Sequence, residues 1–395
     1  MARLRAKSGL YDRGIIAQAS APGNGYQGQL WFNNATGVLY QYMHDGASNF
    51  WLDISSGGIG TSASRGVDFV GDTDPHLETS TTGAGLAVGS VYYNRETDRY
   101  FVCTNSGTNA NVWVGRYAGI GGIETTYKSG SDFYRVHTFL NSGTFHMDGT
   151  TTCDFLVVAG GGAGGGDGAA GAGAGGLRSS IASTGGGGSL ESALSITAGN
   201  HAITVGAGAV ALSGDTHGDQ GGSSSIGALK SCTGGGGSPG HAYAHVPAKS
   251  NGGSGAGAFG TQTSNANTVG TRVAGEGFVG GASPGSYQAG GGGGGAGAVG
   301  AAATSSAAAG NGGAGVTNTI RDGSTAVQYA GGGGGGKISG GTAGTASHGG
   351  GAGAITGNGT SGAANTGGGG GGSANGSKGG NGGSGIVIIR YQLNA

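Results

Sequence analysis

Nine side chains stand out as candidates for chemistry, because they place rings and charges on the segments between glycine runs. They are His241, Tyr243, His245, Phe259, Arg272, Phe278, Tyr287, Arg321 and Tyr329. Aromatic, histidine and arginine side chains on loops over a rigid scaffold are typical of a recognition surface. A second interpretation stays open, in which these rings cover the ends of the glycine runs. The residue types therefore favour binding over catalysis.

Catalytic constellations find little support. Hydrolysis of a polysaccharide needs paired carboxylates, and within residues 155–395 only Asp215 and Asp219 lie close in sequence. No arrangement of Ser, His and Asp or of Cys and His has a spacing that indicates a nucleophilic site. The first glycine run follows a strand, but no Gly-Lys-Ser/Thr and no helix follow it, so a phosphate-binding loop is excluded. We predict that the protein is not an enzyme.

Metal ligation has weak candidates. The segment around Asp215 and Asp219 could bind a cation through oxygen atoms, although a solvated turn explains it as well. His241 and His245 could bind a metal by meeting their symmetry mates around a trimer axis. His137 and His146 have no Cys or carboxylate at ligand spacing and are expected to be packing residues. We predict neither a metal nor a cofactor.

The scaffold that positions the nine residues is glycine itself. Residues 155–395 hold most of the chain's 103 glycines, which excludes helices, since each interior Gly costs about 1 kcal/mol relative to Ala. Polyproline-II strands leave their N–H and C=O groups free, and buried groups need partners. We predict a lattice of glycine rods joined by backbone hydrogen bonds. The rods are residues 160–162, 185–188, 234–237, 290–295, 331–336 and 367–372.

The N-terminal third contains an internal repeat. Residues 28–42, followed by Trp51, match residues 89–103, followed by Trp113, at an offset of 61 that becomes 62 at the tryptophans. Each copy predicts a three-stranded aromatic meander. Its aromatics are expected to form a core, and stacking on sugar rings is the alternative. Residues 134–139 and 144–147 predict a β hairpin that leads into the glycine region.

Charge and cysteine content limit the partners. Only 9% of residues are charged and the net charge is −1, so we expect no binding to nucleic acid. The three widely spaced cysteines are typical of a protein made in a reducing cytoplasm without disulfides. We expect neither a signal peptide nor a membrane span.

Two strands that bracket the glycine region carry a resemblance to a known family. The motifs are residues 155–162, 175–178, 203–208 and 383–391, preceded by residues 137–145. They resemble the glycine-rich C-terminal domain of bacteriophage tail-fibre and adhesin proteins over about residues 130–391. The resemblance implies a virion fibre component that is usually trimeric and contacts the host surface.

The expected fold class is all-β with a glycine-rich, polyproline-II-like lattice, in an elongated trimeric fibre with small β modules at its N-terminal end. The expected domains are an attachment arm (1–20), two aromatic β modules (21–118), a β-hairpin collar (125–154) and a glycine-rich tip (155–395). The expected function is non-enzymatic recognition of a bacterial surface glycan or outer-membrane protein through the tip's connectors. The expected partners are two further copies of the chain and another virion protein at the N-terminal region. A purely structural virion protein is the alternative, and a polysaccharide-degrading enzyme is less favoured.

Overall fold

The chain is described by a computed structural model as two compact units, Met1–Tyr117 and Ala118–Leu393. The described residues are 3–4, 15–22, 30–33, 38–44, 49–53, 69–71, 75, 90–94, 99–105, 112–115, 119–130, 132–147, 149–241, 246–259, 268–283, 288–304 and 308–392. Within them, no helix has the length and hydropathy of a membrane span.

The first unit contains two sheets, each with its strands in sequence order. The strands of one sheet are β1 Arg3–Leu4, β2 Ile15–Gln18, β3 Leu30–Asn33, β4 Val38–His44 and β5 Asn49–Asp53. Those of the other are β6 Phe69–Gly71, β7 Val91–Asn94, β8 Arg99–Asn105 and β9 Val112–Gly115. The predicted strand repeat is present, since β7 and β8 begin 61 residues after β3 and β4.

Each copy also has a parallel strand before its aromatic meander. Strand β2 pairs in parallel with β3, and β6 pairs in parallel with β7. Residues 15–18, expected in a separate arm, therefore belong to the first sheet. Attachment by residues 1–20 stays a prediction.

The aromatic side chains described in these sheets are mostly buried. Trp31 stacks on Tyr40 with ring centroids 4.6 Å apart, and its indole Nε1–H donates to the carbonyl of Gln18. Tyr92 and Phe101 are buried edge to face in the second sheet. These contacts support the core interpretation for Trp31, Tyr92 and Phe101. The side chains of Trp51 and Trp113 lie outside the described part of the chain.

The second unit contains thirteen described strands and one four-residue helix. They are β10 Gly119–Ile120, β11 Ile123–Ser129, β12 Asp132–Phe139, β13 Gly143–Met147, β14 Thr151–Val158, β15 Leu177–Ser179, β16 Leu194–Ile196, β17 Gly199–Thr204, β18 Ser224–Ile226, β19 Lys230–Cys232, α1 Pro247–Ser250, β20 Val316–Asn318, β21 Val327–Tyr329 and β22 Ile386–Gln392. The prediction of a β fold is confirmed in these residues apart from the short helix α1, which the glycine content was expected to exclude.

The two bracketing strands pair with each other at the centre of the unit. Strands β14 and β22 are antiparallel neighbours in the order β11-β12-β22-β14-β15. Phe155 and Val157 face one hydrophobic cluster, and Leu156 and Val158 face another. Burial on both faces explains why these strands read as continuous apolar runs instead of alternating.

The predicted hairpin of residues 134–147 is wrong in its pairing. Strand β12 pairs with β11 and β22, whereas β13 pairs with β10 and β17 in a different sheet, ordered β10-β13-β17-β18-β19. The segment between β12 and β13 carries the chain from one sheet to the other. Side-chain alternation predicts a strand but not its partner, which explains the error.

The glycine runs bond to one another with a three-residue period. Successive N–H groups of residues 160–164 donate to three segments in rotation, at the carbonyls of Gly222, Gly383, Gly173, Asp219 and Gly380. The carbonyls of residues 160–162 accept N–H groups from three further segments, at Gly235, Ala209 and Gly370. One rod thus contacts six neighbours, with the period of a polyproline-II helix. These contacts form the predicted backbone lattice. The prediction is wrong for residues 185–188, because Gly186 and Gly187 have φ of +65° and +67° and form a turn instead of a rod.

The spacing of the rods requires glycine. A Cβ atom on Gly161 would lie 2.1 Å from the carbonyl oxygen of Gly368, and one on Gly292 would lie 1.9 Å from that of Asn311. Ordinary contact begins at 3.4 Å. Any side chain at these positions would force neighbouring rods apart.

The cysteines are free, as predicted, whereas production in a reducing cytoplasm stays a prediction. Cys103, Cys153 and Cys232 are all buried free thiols. Burial raises the pKa of the Cys153 thiol to about 12.

Candidate recognition groove

A groove of about 690 Å³ lies on the second unit, between the β11 edge of the central sheet and the β20–β21 hairpin. Its walls combine aromatic, cationic, hydroxyl and amide side chains. It is lined by Ile123, Thr125, Tyr127, Thr138, Leu140, Arg321, Asp322, Thr325, Val327, Tyr329, Ala364, Asn365, Thr366 and Ile386. We call this surface the groove. It contains two of the nine predicted residues, Arg321 and Tyr329.

One wall of the groove is a fixed tyrosine ring. The Tyr127 ring stacks on Tyr134 with centroids 5.3 Å apart, and its hydroxyl accepts a hydrogen bond of 2.5 Å from Arg390. Arg390 lies 4.3 Å from the Tyr134 ring centroid and forms an ion pair with Asp154. Burial raises the pKa of Tyr127, so the ring presents a neutral phenol at physiological pH.

The opposite wall is the loop between β20 and β21, which the sequence shapes locally. Asp322 Oδ1 accepts the backbone N–H groups of Ser324 at 2.9 Å and Thr325 at 2.6 Å. A hydrogen bond from the Thr325 side chain, together with these two backbone hydrogen bonds, lowers the pKa of Asp322 to about 2. Gly323 has φ of +76°, and a Cβ atom there would lie 2.6 Å from the Tyr127 ring. Glycine therefore lets the loop lie directly against that ring.

This wall also contains the charged side chain of Arg321 and the buried side chain of Tyr329. The exposed Arg321 side chain forms no ion pair with any described residue. The Tyr329 side chain is buried. Burial raises the pKa of Tyr329, and the nearby charge of Arg321 opposes that shift. A cation and a neutral hydroxyl donor thus lie side by side.

The structure forms two more pairs among the predicted residues. The His241 ring meets the Phe259 ring edge to face at 5.6 Å, and Phe259 is only 4% exposed. Arg272 lies 5.4 Å from the Phe278 ring centroid and donates to the carbonyls of Gly186 and Gly277. Phe259 fits the capping interpretation, whereas Arg272 and Phe278 remain accessible. Tyr243, His245 and Tyr287 lie outside the described residues.

Sequence reasoning missed several groove residues. Tyr127, Asn365 and Thr366 were not singled out, because the first lies before the glycine region and the others lie beside a rod. The close spacing of Tyr127 and Tyr134 was the available signal for a paired aromatic surface.

The carboxylates give no paired site in the groove. Glu276 is the only buried carboxylate in the described segments, and its Oε2 accepts the Thr233 N–H at 2.8 Å. Burial raises the pKa of Glu276, although the hydrogen bond with Thr233 opposes that rise. The absence of enzyme activity stays a prediction.

The fold and groove define an all-β protein whose C-terminal unit is a glycine lattice. The chain belongs to the glycine-rich domain family, whose family model matches residues 138–392. No curated protein sequence matches it. The match confirms the glycine-rich part of the predicted resemblance.

Proposed function

We propose that this protein is a non-enzymatic fibre subunit of a bacteriophage virion that binds the host surface through the groove. The observation that carries the proposal is Arg321, a guanidinium without an ion-pair partner among the described residues, set in the same groove as the Tyr127 ring. Both side chains belong to rigid surroundings, since Tyr127 is held by Arg390 and the Arg321 loop by Asp322.

A bacterial surface glycan is the partner whose chemistry suits these walls best. A neutral aromatic ring packs on the apolar face of a sugar, and amide and hydroxyl groups such as Asn365 and Thr366 bond its hydroxyls. A guanidinium can bind a carboxylate or phosphate on such a polymer with two hydrogen bonds. A loop of an outer-membrane protein is the alternative partner, because the same ring and charge suit a peptide.

The proposal includes the assembly expected from the resemblance. The subunit forms a homotrimer, its N-terminal region binds another virion protein, and it is made in the host cytoplasm before incorporation into the fibre. The homotrimer is proposed from the resemblance alone, because the second unit already has two buried hydrophobic clusters of its own.

A purely structural role is the second candidate, and the lattice itself favours it. Its rods are bonded to as many as six neighbours, which makes a stiff spacer that needs no ligand. In that case the groove would bind nothing.

The test uses the full-length protein on an array of bacterial lipopolysaccharides and capsular polysaccharides, and on cells of the strains that supplied them. Arg321→Ala should reduce binding at least about tenfold, the equivalent of about 1.4 kcal/mol. Arg272→Ala is the matched control, because Arg272 is an accessible arginine of a connector and does not line the groove.

The outcomes separate the candidates. If Arg272→Ala reduces binding and Arg321→Ala does not, the binding site lies on the connector of Arg272 and Phe278, and the proposal that the groove binds the host is refuted. If the unsubstituted protein binds cells but none of the glycans on the array, a loop of an outer-membrane protein is favoured as the partner. No binding to either by the unsubstituted protein would favour the structural role.

A further inference from the structure

Three side chains with metal-ligating atoms converge at a place unconnected with the groove lining. Asp167, Asp215 and His241 each offer one ligand atom, and these atoms all lie within 4.8 Å of one another. Asp167 Oδ2 is 3.6 Å from His241 Nδ1. All three side chains are partly buried. They come from three segments of the lattice unit, so the tertiary structure alone brings them together.

The surroundings hold each ligand in place. Asp167 Oδ1 accepts the N–H of Gly376 at 2.6 Å, which leaves Oδ2 directed to His241. The buried Phe259 ring fixes the orientation of the imidazole from one side. A Cβ atom on Gly240 would lie 2.6 Å from Asp215 Oδ1, so glycine leaves room for that carboxylate. Such support is what orients metal ligands in proteins.

The donor set selects among cations. Zinc binds nitrogen and oxygen at about 2.0–2.2 Å, which puts tetrahedral ligand atoms about 3.4 Å apart. The 3.6 Å separation of Asp167 Oδ2 and His241 Nδ1 is close to that value. Calcium prefers six to eight oxygen ligands, whereas an imidazole nitrogen favours a first-row transition ion. Two carboxylates with one imidazole therefore fit zinc better than calcium.

One divalent cation can contact all three ligand atoms at once, since they lie within 4.8 Å of one another. We propose that Asp167, Asp215 and His241 bind one divalent transition-metal ion of the zinc class, which ties three segments of the lattice together. This site is independent of what the groove binds.

The experiment measures zinc binding by the full-length protein after treatment with a chelator. Isothermal titration with Zn²⁺ should give one site per chain, and Zn²⁺ should raise the melting temperature, because a ligand of the folded state stabilises it. Ca²⁺ at the same concentration should have little effect. His241→Ala should weaken Zn²⁺ binding at least about tenfold.

Two further variants keep the test decisive. Asp167→Asn keeps an oxygen that can accept the N–H of Gly376. Asparagine also tolerates the backbone φ of 63° at this position, so the variant should fold. Its affinity for Zn²⁺ should fall at least about tenfold, as in His241→Ala. His201→Ala removes an imidazole of strand β17 that bonds to the carbonyl of Thr197 and should bind Zn²⁺ normally. Absence of Zn²⁺ binding by the unsubstituted protein would overturn the proposal. Equal affinity of Asp167→Asn or His241→Ala and the parent would overturn it too.

Discussion

Replacing one lattice glycine by alanine should destabilise the second unit far more than the small size of the change suggests. At Gly333 the added Cβ would lie 2.1 Å from the carbonyl oxygen of Gly370. Ordinary contact begins at 3.4 Å, so the two rods would have to separate by about 1.3 Å. Backbone geometry is not the obstacle, because φ at Gly333 is outside the left-handed region.

The size of the effect follows from the hydrogen bonds that the two residues make to neighbouring segments. Gly333 donates to Ala172 and accepts from Gly293, while Gly370 donates to Gly162 and accepts from Ala172. Each bond contributes about 1 kcal/mol net, so losing the four costs about 4 kcal/mol. That is a large part of the 5–15 kcal/mol by which domains are usually stable. At about 2–4 °C per kcal/mol, the melting temperature should fall by about 10 °C.

The assay is differential scanning calorimetry of the full-length variant, with soluble yield as a second readout. Gly143→Ala is the matched control: Gly143 is an exposed strand glycine with a non-positive φ, and its added Cβ would meet only the Phe139 ring, at 4.0 Å. The melting temperature of Gly143→Ala should equal that of the unsubstituted protein or lie slightly above it. A Gly333→Ala protein that melts like Gly143→Ala would show that the rods are not close-packed.

Two other predictions concern assembly and pH. Light scattering should give a mass about three times the 37.2 kDa of one chain, and a stable folded monomer would contradict the proposed trimer. His137 is buried, which lowers its pKa despite a hydrogen bond to the Gly121 carbonyl and the nearby Glu124. The folded state then binds fewer protons than the unfolded chain, so the stability present above about pH 6.5 is lost as pH falls. The melting temperature should fall less between about pH 7.5 and about pH 5.5 in His137→Gln than in the unsubstituted protein. His201→Gln is the control and should behave like the unsubstituted protein. Equal falls in all three proteins would refute this reasoning.

Much of the fold follows from local features of the sequence. Glycine content predicts the absence of long helices, and the described part of the second unit has one helix, α1, of four residues. Alternation in residues 30–53 and 91–115 predicts the strands observed there. The continuous apolar runs of β14 and β22 predicted strands, and their burial on both faces confirms why the runs do not alternate. The free cysteines were equally predictable, because their number is odd and they lie far apart.

The candidate sites were less predictable. Arg321 and Tyr329 were singled out by residue type, but Tyr127 precedes them by almost two hundred positions and joins them only because β11 lies beside the β20–β21 hairpin. The convergence of Asp167 and Asp215 with His241 also has no signature in sequence spacing. Side chains from distant segments meet where strand partners place them, and alternation does not name a partner.

The glycine content alone indicates close-packed rods in the C-terminal region, since only glycine permits the close approach that Gly161 and Gly292 show. It did not determine which rod bonds to which. The runs are chemically identical along their length, and every peptide group offers the same donor and acceptor. Only the connectors and the paired strands β14 and β22 distinguish one run from another, so the tertiary structure decided the order of the lattice and the sites on its surface.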